Sequence, residues 1–386
     1  MYDSCEGFST PKHPKTHQKK AILILQDGTL MRGEGFGATR KVHGEFVFNT
    51  GMVGYPESIT DPSYAGQILI QTYPLIGNYG VNTKHFESDG PKIEGYVVHE
   101  LCRQPSHWSS ELHLDEWLET NGVPGISGVD TRFLTQKIRT QGTMLGILSV
   151  YENGDKPDLK ALLEEVKTVE DPNKRKLAYE VATKDVKHFD VGGDLTVVLI
   201  DCGVKLNIIR NLMARGLNVM IVPPQTSAET ILASRPDGVV LSNGPGDPKV
   251  YVEVIETTRR LIESHVPIMG ICLGCQILAL ALGGETYKLK FGHRGQNHPC
   301  IEVDGRRCYI TSQNHGFAVR PESLEGTGLK VTLINANDKT VEGVKHISLA
   351  AFAVQFHPEA SPGPNDTNVL FDAFLEEIRR GGMPPA

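Results

Sequence analysis

Val266-Pro267-Ile268-Met269-Gly270-Ile271-Cys272-Leu273-Gly274-Cys275-Gln276-Ile277-Leu278-Ala279-Leu280-Ala281-Leu282-Gly283-Gly284 sets a glycine-flanked cysteine between two apolar runs. The first run, Val266–Ile271, has the length of a buried strand. The second, Ile277–Leu282, reads as a buried helix closed by the glycine pair. Gly270 and Gly274 let the chain turn sharply and leave room beside the cysteine. A cysteine at such a turn presents its sulfur at the sheet edge, and the helix N-terminus favours thiolate.

The pattern continues upstream. Val197–Ile200, Val219–Val222 and Gly238–Ser242 are further apolar runs, separated by helical stretches such as Lys205–Arg215 and Tyr251–Ser264. Alternating strand and helix predicts an α/β domain with a doubly wound, mostly parallel sheet over residues 194–380. Ligands of such sheets bind outside the carboxyl ends of the strands, where Gly244 and Cys272 fall. Residues 21–150 read differently, as a smaller mixed, mostly β domain. Its expected strands are Ala21–Gln26, Glu45–Asn49, Gln67–Thr72 and Gly95–Val98, and its expected helices Leu112–Asn121 and Thr131–Gln141. Residues 151–193 are charged and weakly periodic, as in a linker with one short helix near Leu159–Val166. Residues 1–20 and 381–386 read as tails, with a transit peptide as the alternative for the first.

Composition narrows the function classes. A chain of 386 residues suggests two or three domains at about 150 residues each. A net charge of −7 leaves no basic face for nucleic acid, and no apolar run reaches membrane-span length. The 7 cysteines have no regular spacing, which points to a reducing compartment rather than a disulfide framework.

Three motifs carry chemistry, each with a plainer alternative. Cys272 is a candidate nucleophile, but a small buried cysteine also serves as core packing. Cys272 and Cys275 form a C-x-x-C, a redox or zinc half-motif, although no second C-x-x-C supplies the remaining ligands. Val354-Gln355-Phe356-His357-Pro358-Glu359 places an imidazole and a carboxylate two residues apart, on one face if the segment is a strand. A histidine can take the thiol proton and return it to a leaving group, and a glutamate can fix its tautomer. The same pair also occurs on exposed strand edges. Asn243-Gly244-Pro245-Gly246-Asp247-Pro248 follows a strand and offers backbone N–H groups to an oxyanion, or makes an ordinary tight turn.

Together these motifs resemble a class I, triad-type glutamine amidotransferase domain. Over roughly residues 20–380 the chain is similar to the small, glutamine-hydrolysing subunit of carbamoyl-phosphate synthase, in its eukaryotic wording. Gly270-Ile271-Cys272-Leu273-Gly274 looks like that family's nucleophile turn, and Gln313-Asn314-His315-Gly316-Phe317-Ala318-Val319 like a further signature. The N-terminal blocks Phe48–Glu57, Thr60-Asp61-Pro62-Ser63-Tyr64, Tyr73–Gly80 and Gly128-Val129-Asp130-Thr131-Arg132 are the more family-specific matches.

The resemblance implies a Cys272, His357, Glu359 triad that hydrolyses L-glutamine through a γ-glutamyl thioester. It implies oxyanion donors at Leu273 and Gly244, and a glutamine pocket of Gly51, Gly244, Gly246, Leu273, Gln276, Asn314, Gly316 and Phe317. Gly51 falls where bacterial members often carry serine, so contact there must come from backbone. Cys275 falls where histidine is usual. The implied partner is a large synthetase subunit, or a fused synthetase region, which makes carbamoyl phosphate from ammonia, bicarbonate and ATP for arginine or pyrimidine biosynthesis. No phosphate-binding loop occurs here, so no cofactor or metal is expected in this chain, and ATP and Mg are expected on the partner. A cytoplasmic setting follows, with the mitochondrion as the alternative. A non-catalytic regulatory subunit, another thiol amidotransferase and a γ-glutamyl hydrolase remain as other readings.

Overall fold

A computed structural model describes residues 19–155 and 157–381, so most of both expected tails lies outside the described residues. Two bodies are built on two different sheets. In the first, seven strands close into a barrel in the order Lys20–Leu25, Leu30–Gly37, Pro124–Ser127, Gly95–Val97, Gln67–Gln71, Lys41–Asn49 and Met144–Tyr151. The last pairs antiparallel with the first. Side chains alternate across the barrel wall, as a period of two requires. Phe46, Phe48, Ile68 and Ile70 fill one side with Leu134 and Ile138 of the helix Thr131–Gln141. Val47 and Leu69 face the other way, against Tyr55, Tyr64 and Leu118. The expected strands and helices of this region are all present to within two residues at each end, except that the strand Lys41–Asn49 begins four residues before the expected Glu45.

The second body is one sheet ordered Lys187–Phe189, Leu217–Val222, Leu195–Ile200, Gly238–Leu241, Ile268–Ile271, Ala351–Val354, Val341–His346, Leu329–Asn335, Thr286–Glu302 and Cys308–Val319. From Leu217–Val222 to Ala351–Val354 every pairing is parallel. Helices cover both faces of this part. Val198, Ile200, Val239, Leu241 and Ile268 point toward the helices Val252–Glu263 and Leu273–Ala281. Val197, Leu199, Val240 and Met269 point toward Leu206–Met213 and Leu370–Arg379. Residues buried on both faces are apolar at successive positions, which is why these runs lack alternation.

The remaining strands extend the sheet in antiparallel fashion. Thr286–Glu302 has register shifts between Lys288 and His293 and between Gly295 and His298. Such bulges bend a strand and re-aim its side chains. This bent hairpin reaches the barrel, where the Thr50 and Thr143 N–H groups donate to the carbonyls of Arg294 and Lys290.

Residues 151–193 are not a free tether. Leu162 of the helix Leu159–Glu165 and Val166 pack on Ile22, Ile24 and Ile147 of the barrel. Ala178 of the helix Leu177–Val181 enters the core of the sheet, and Lys187–Phe189 joins that sheet antiparallel to Leu217–Val222. The few apolar residues between the charges anchor the segment at both ends.

The helix Leu273–Ala281 lies so close to the sheet that a Cβ at Gly274 would sit 2.2 Å from the Leu241 carbonyl oxygen. Gly274→Ala is therefore expected to lower stability by about 1–3 kcal/mol, read as a lower urea midpoint. An unchanged midpoint would contradict this packing.

Candidate active site

Cys272 ends the strand Ile268–Ile271 and caps the helix Leu273–Ala281. Its φ is +54°, a left-handed value that costs a non-glycine residue energy and is kept only where its surroundings enforce it. Here the Cys272 N–H donates to the Val354 carbonyl (2.8 Å), while Gly274 lets the helix press on Leu241. The thiol is buried, 3.6 Å from the Asn314 carbonyl and 3.8 Å from the Gln355 amide nitrogen.

His357 and Glu359 lie beyond the strand Ala351–Val354, not on its face as the spacing suggested. The His357 N–H donates to the Ser312 carbonyl (2.9 Å), and a turn returns the Ala360 N–H to the His357 carbonyl (3.0 Å). That turn, rather than a strand period, brings Nδ1 of His357 to 2.6 Å from Oε1 of Glu359. Among the described residues Nε2 has no conventional hydrogen bond, and the neighbouring Cys272 adds to the field that favours the imidazolium. Burial disfavours the imidazolium, but Glu359 and Cys272 outweigh it and raise the histidine above its ordinary range. Burial likewise opposes the Glu359 carboxylate, while Lys205 and His357 hold it below its ordinary range.

Lys205 was not legible as part of this group. Its buried ammonium is 3.0 Å from Oε1 of Glu359 and donates to the Ala360 carbonyl at 2.7 Å. Glu87 and Asp61, both from the barrel body, add to the negative field that keeps it charged against burial. A lysine at a strand-to-helix junction carries no sequence signal of such a partner.

Of the expected oxyanion donors, Leu273 directly follows Cys272 and Gly244 lines the same cavity as Cys272. Leu273 opens the helix, and Gly244 lies where a Cβ would collide with the Cys202 carbonyl oxygen at 2.1 Å and with Leu273. Neither N–H has a backbone partner among the described residues. The loop is fixed from both bodies: the Asn243 side chain donates to Ser63 Oγ of the barrel body (2.8 Å), and Tyr251 of the second body donates to the Pro245 carbonyl (2.7 Å). Asn314 is fixed the same way, its amide donating to Asp61 Oδ2 at 2.8 Å.

A narrow cavity beside Cys272 is walled in part by Gly244, Gly246, Gln276, Asn314, Gly316 and Phe317. These are six of the eight positions expected to hold glutamine, and Leu273 adjoins them. The Gln276 amide donates to the Phe317 carbonyl (2.9 Å) and to Gln355 (3.1 Å), so it also ties the helix to the sheet. Gly51 is not brought to this wall. Its N–H donates to Asn49 (2.6 Å) and its carbonyl accepts from Gln71 (2.6 Å), so both backbone groups are engaged within the barrel body. Arg294 lines the cavity although no motif pointed to it.

Cys275 is fully buried one turn into the helix, and burial pushes its thiol up, away from thiolate. His293, His315 and Glu342 bring potential metal-ligand atoms within 4.8 Å of one another. Those groups have other partners: His293 is 2.8 Å from Asp338, and His315 meets the Phe317 carbonyl and Gln313. The described residues contain no helix long and apolar enough to cross a membrane.

The second body and its site define a class I glutamine amidotransferase domain: the family profile described as "Glutamine amidotransferase class-I" matches residues 198–377. The profile "Carbamoyl-phosphate synthase small chain, CPSase domain" matches residues 23–148, the barrel body. The chain is 54% identical to the carbamoyl phosphate synthase small chain of Methanopyrus kandleri, over 93% of this chain and 99% of that one. It is 51% identical to that of Archaeoglobus fulgidus (93% and 99% covered) and 52% identical to that of Listeria innocua (92% and 96%). The chain belongs to the carbamoyl phosphate synthase small chain family.

The raised pKa of His357 gives a signed expectation. A histidine held above its unfolded value of about 6.5 adds stability at low pH, which is lost as pH rises through the raised value. Glu359→Gln removes the principal charge holding that proton, so the imidazolium should deprotonate at lower pH. The alkaline limb of the glutamate-release profile is expected to move down in pH. An unmoved limb would separate Glu359 from the histidine.

Proposed function

We propose that this chain is the glutaminase of a carbamoyl-phosphate synthase and that Cys272, His357 and Glu359 perform the hydrolysis. The observation that carries the reading is a backbone-strained cysteine at the end of one strand and, beyond the end of the strand paired with it, a buried histidine whose Nδ1 is 2.6 Å from a carboxylate. Cys272 Sγ, as thiolate, attacks the side-chain amide carbon of glutamine. The carbonyl oxygen becomes an oxyanion, held by the N–H groups of Leu273 and Gly244. The imidazolium of His357 gives its proton to the departing nitrogen, ammonia leaves, and a γ-glutamyl thioester remains. His357, now neutral, takes a proton from water as the water attacks the thioester, and glutamate and the thiol are released. Glu359 holds the imidazole tautomer throughout, and Lys205 keeps Glu359 ionised.

The ammonia passes to a large synthetase subunit or fused synthetase region. That partner carries the ATP and Mg sites and makes carbamoyl phosphate from bicarbonate. This support comes from the family of the barrel body and from the small chains it resembles along nearly their whole length. A cytoplasmic location and service to arginine or pyrimidine synthesis complete the reading.

Glutamate release from glutamine by the purified chain, alone and with a synthetase large chain plus ATP, tests it. Cys272→Ser should lower release by more than about 100-fold, beyond the loss of one oxyanion donor at roughly 3 kcal/mol. Release should rise when the large chain and ATP are present. Retained activity in the serine variant would remove the thioester mechanism. No release from the folded wild-type chain under either condition would favour a regulatory subunit.

A further inference from the structure

Arg294 lies in the bent strand Thr286–Glu302, opposite Asn314 of the neighbouring strand. Its side chain is buried, at 3% exposure, yet no carboxylate pairs with it among the described residues. Nη1 donates to the Phe291 carbonyl at 2.8 Å, and Nε has no partner among the described residues. An unpaired buried guanidinium is costly, because the water it gave up is not replaced. Burial accordingly lowers its proton affinity, against the opposing fields of Tyr64, Glu45 and Cys272.

The position of this charge shows what would compensate it. Arg294 lines the same cavity as Cys272, Asn314 and Gly316. A Cβ at residue 316 would lie 3.3 Å from Nη2, so glycine there leaves that side of the guanidinium open. A planar fork of N–H donors matches a carboxylate, and such pairs are among the stronger polar contacts. Glutamine brings one: its reacting amide is at one end and its α-carboxylate at the other. We infer that Arg294 receives the α-carboxylate of glutamine, and thereby sets both affinity and the demand for a free α-carboxyl group. The inference rests on glutamine being the substrate proposed above. It adds an unpaired side-chain charge to a cavity whose other charged lining residues, Glu45 and Lys288, are paired with each other at 2.7 Å.

Calorimetric binding to the full chain carrying Cys272→Ser, which stops turnover, tests this with glutamine and glutamine α-amide. With Arg294 intact, glutamine is expected to bind on the order of 10- to 100-fold more tightly than the amide. Arg294→Gln should erase that preference by weakening glutamine alone, and Arg294→Lys should keep part of it. The unliganded Arg294→Gln protein should melt no lower than its parent, because an uncompensated buried charge has been removed; a purely structural arginine would give the opposite. Equal binding of the two ligands with Arg294 intact overturns the inference, even if Arg294→Gln does not fold. A preference that survives in Arg294→Gln also overturns it. So does a variant that instead shifts the pH profile of Cys272 alkylation in the wild-type background, since the guanidinium would then serve the thiolate. Carboxylate-dependent binding without Cys272-dependent glutamate release would sink the hydrolase reading and leave this one standing.

Discussion

The turn at Cys272 is the constraint on which the candidate active site rests. A left-handed backbone at a non-glycine residue is unfavourable by of order 1–3 kcal/mol and must be held from several sides. The strand Ile268–Ile271 fixes one end by pairing in parallel with Gly238–Leu241 and Ala351–Val354. The helix Leu273–Ala281 fixes the other by lying against Leu241 with only a glycine between. Both neighbouring strands then continue into functional segments: Gly238–Leu241 into Asn243–Pro248, and Ala351–Val354 into His357–Glu359. One packed parallel core therefore determines the placement of the proposed nucleophile, oxyanion loop and acid–base pair together.

The barrel body completes the site rather than standing apart from it. Asp61 accepts from Asn314, and Ser63 accepts from Asn243. The carboxylates of Glu87 and Asp61 favour the charged form of Lys205, whose ammonium is 3.0 Å from Glu359. A chain of buried charges thus runs from the barrel through Lys205 to His357. In such a chain each member is tolerable only because the next is present, since removing one partner strands a buried charge. This gives a physical reason for Thr60-Asp61-Pro62-Ser63-Tyr64 to look like a signature although it lies far in sequence from the cysteine.

The cavity beside Cys272 combines two kinds of group. Some, such as Gln276 and Asn314, have their amide donors occupied by the protein and hold the wall in place. Others, such as the Arg294 Nε and the N–H groups of Leu273 and Gly244, have no such partner among the described residues. Preorganised donors left unpaired at a fixed site are what a charged substrate or a developing oxyanion needs.

The sequence by itself determined the parallel core, the cysteine turn and the barrel strands with the plainest β-branched runs. Those features are written locally, in apolar runs, glycine positions and turn residues. It also carried the His357-x-Glu359 pair, although the turn that joins them was read as a strand. Tertiary structure alone decided the rest. The bent hairpin Thr286–Val319 is half polar and broken by register shifts, so no clean period marked it. The segment 151–193 is fixed by a few apolar contacts among many charges. Lys205, Asp61 and Arg294 acquire their partners, or their lack of one, from residues far away in the chain. A buried charge has no local pattern, because its meaning lies in which distant groups surround it.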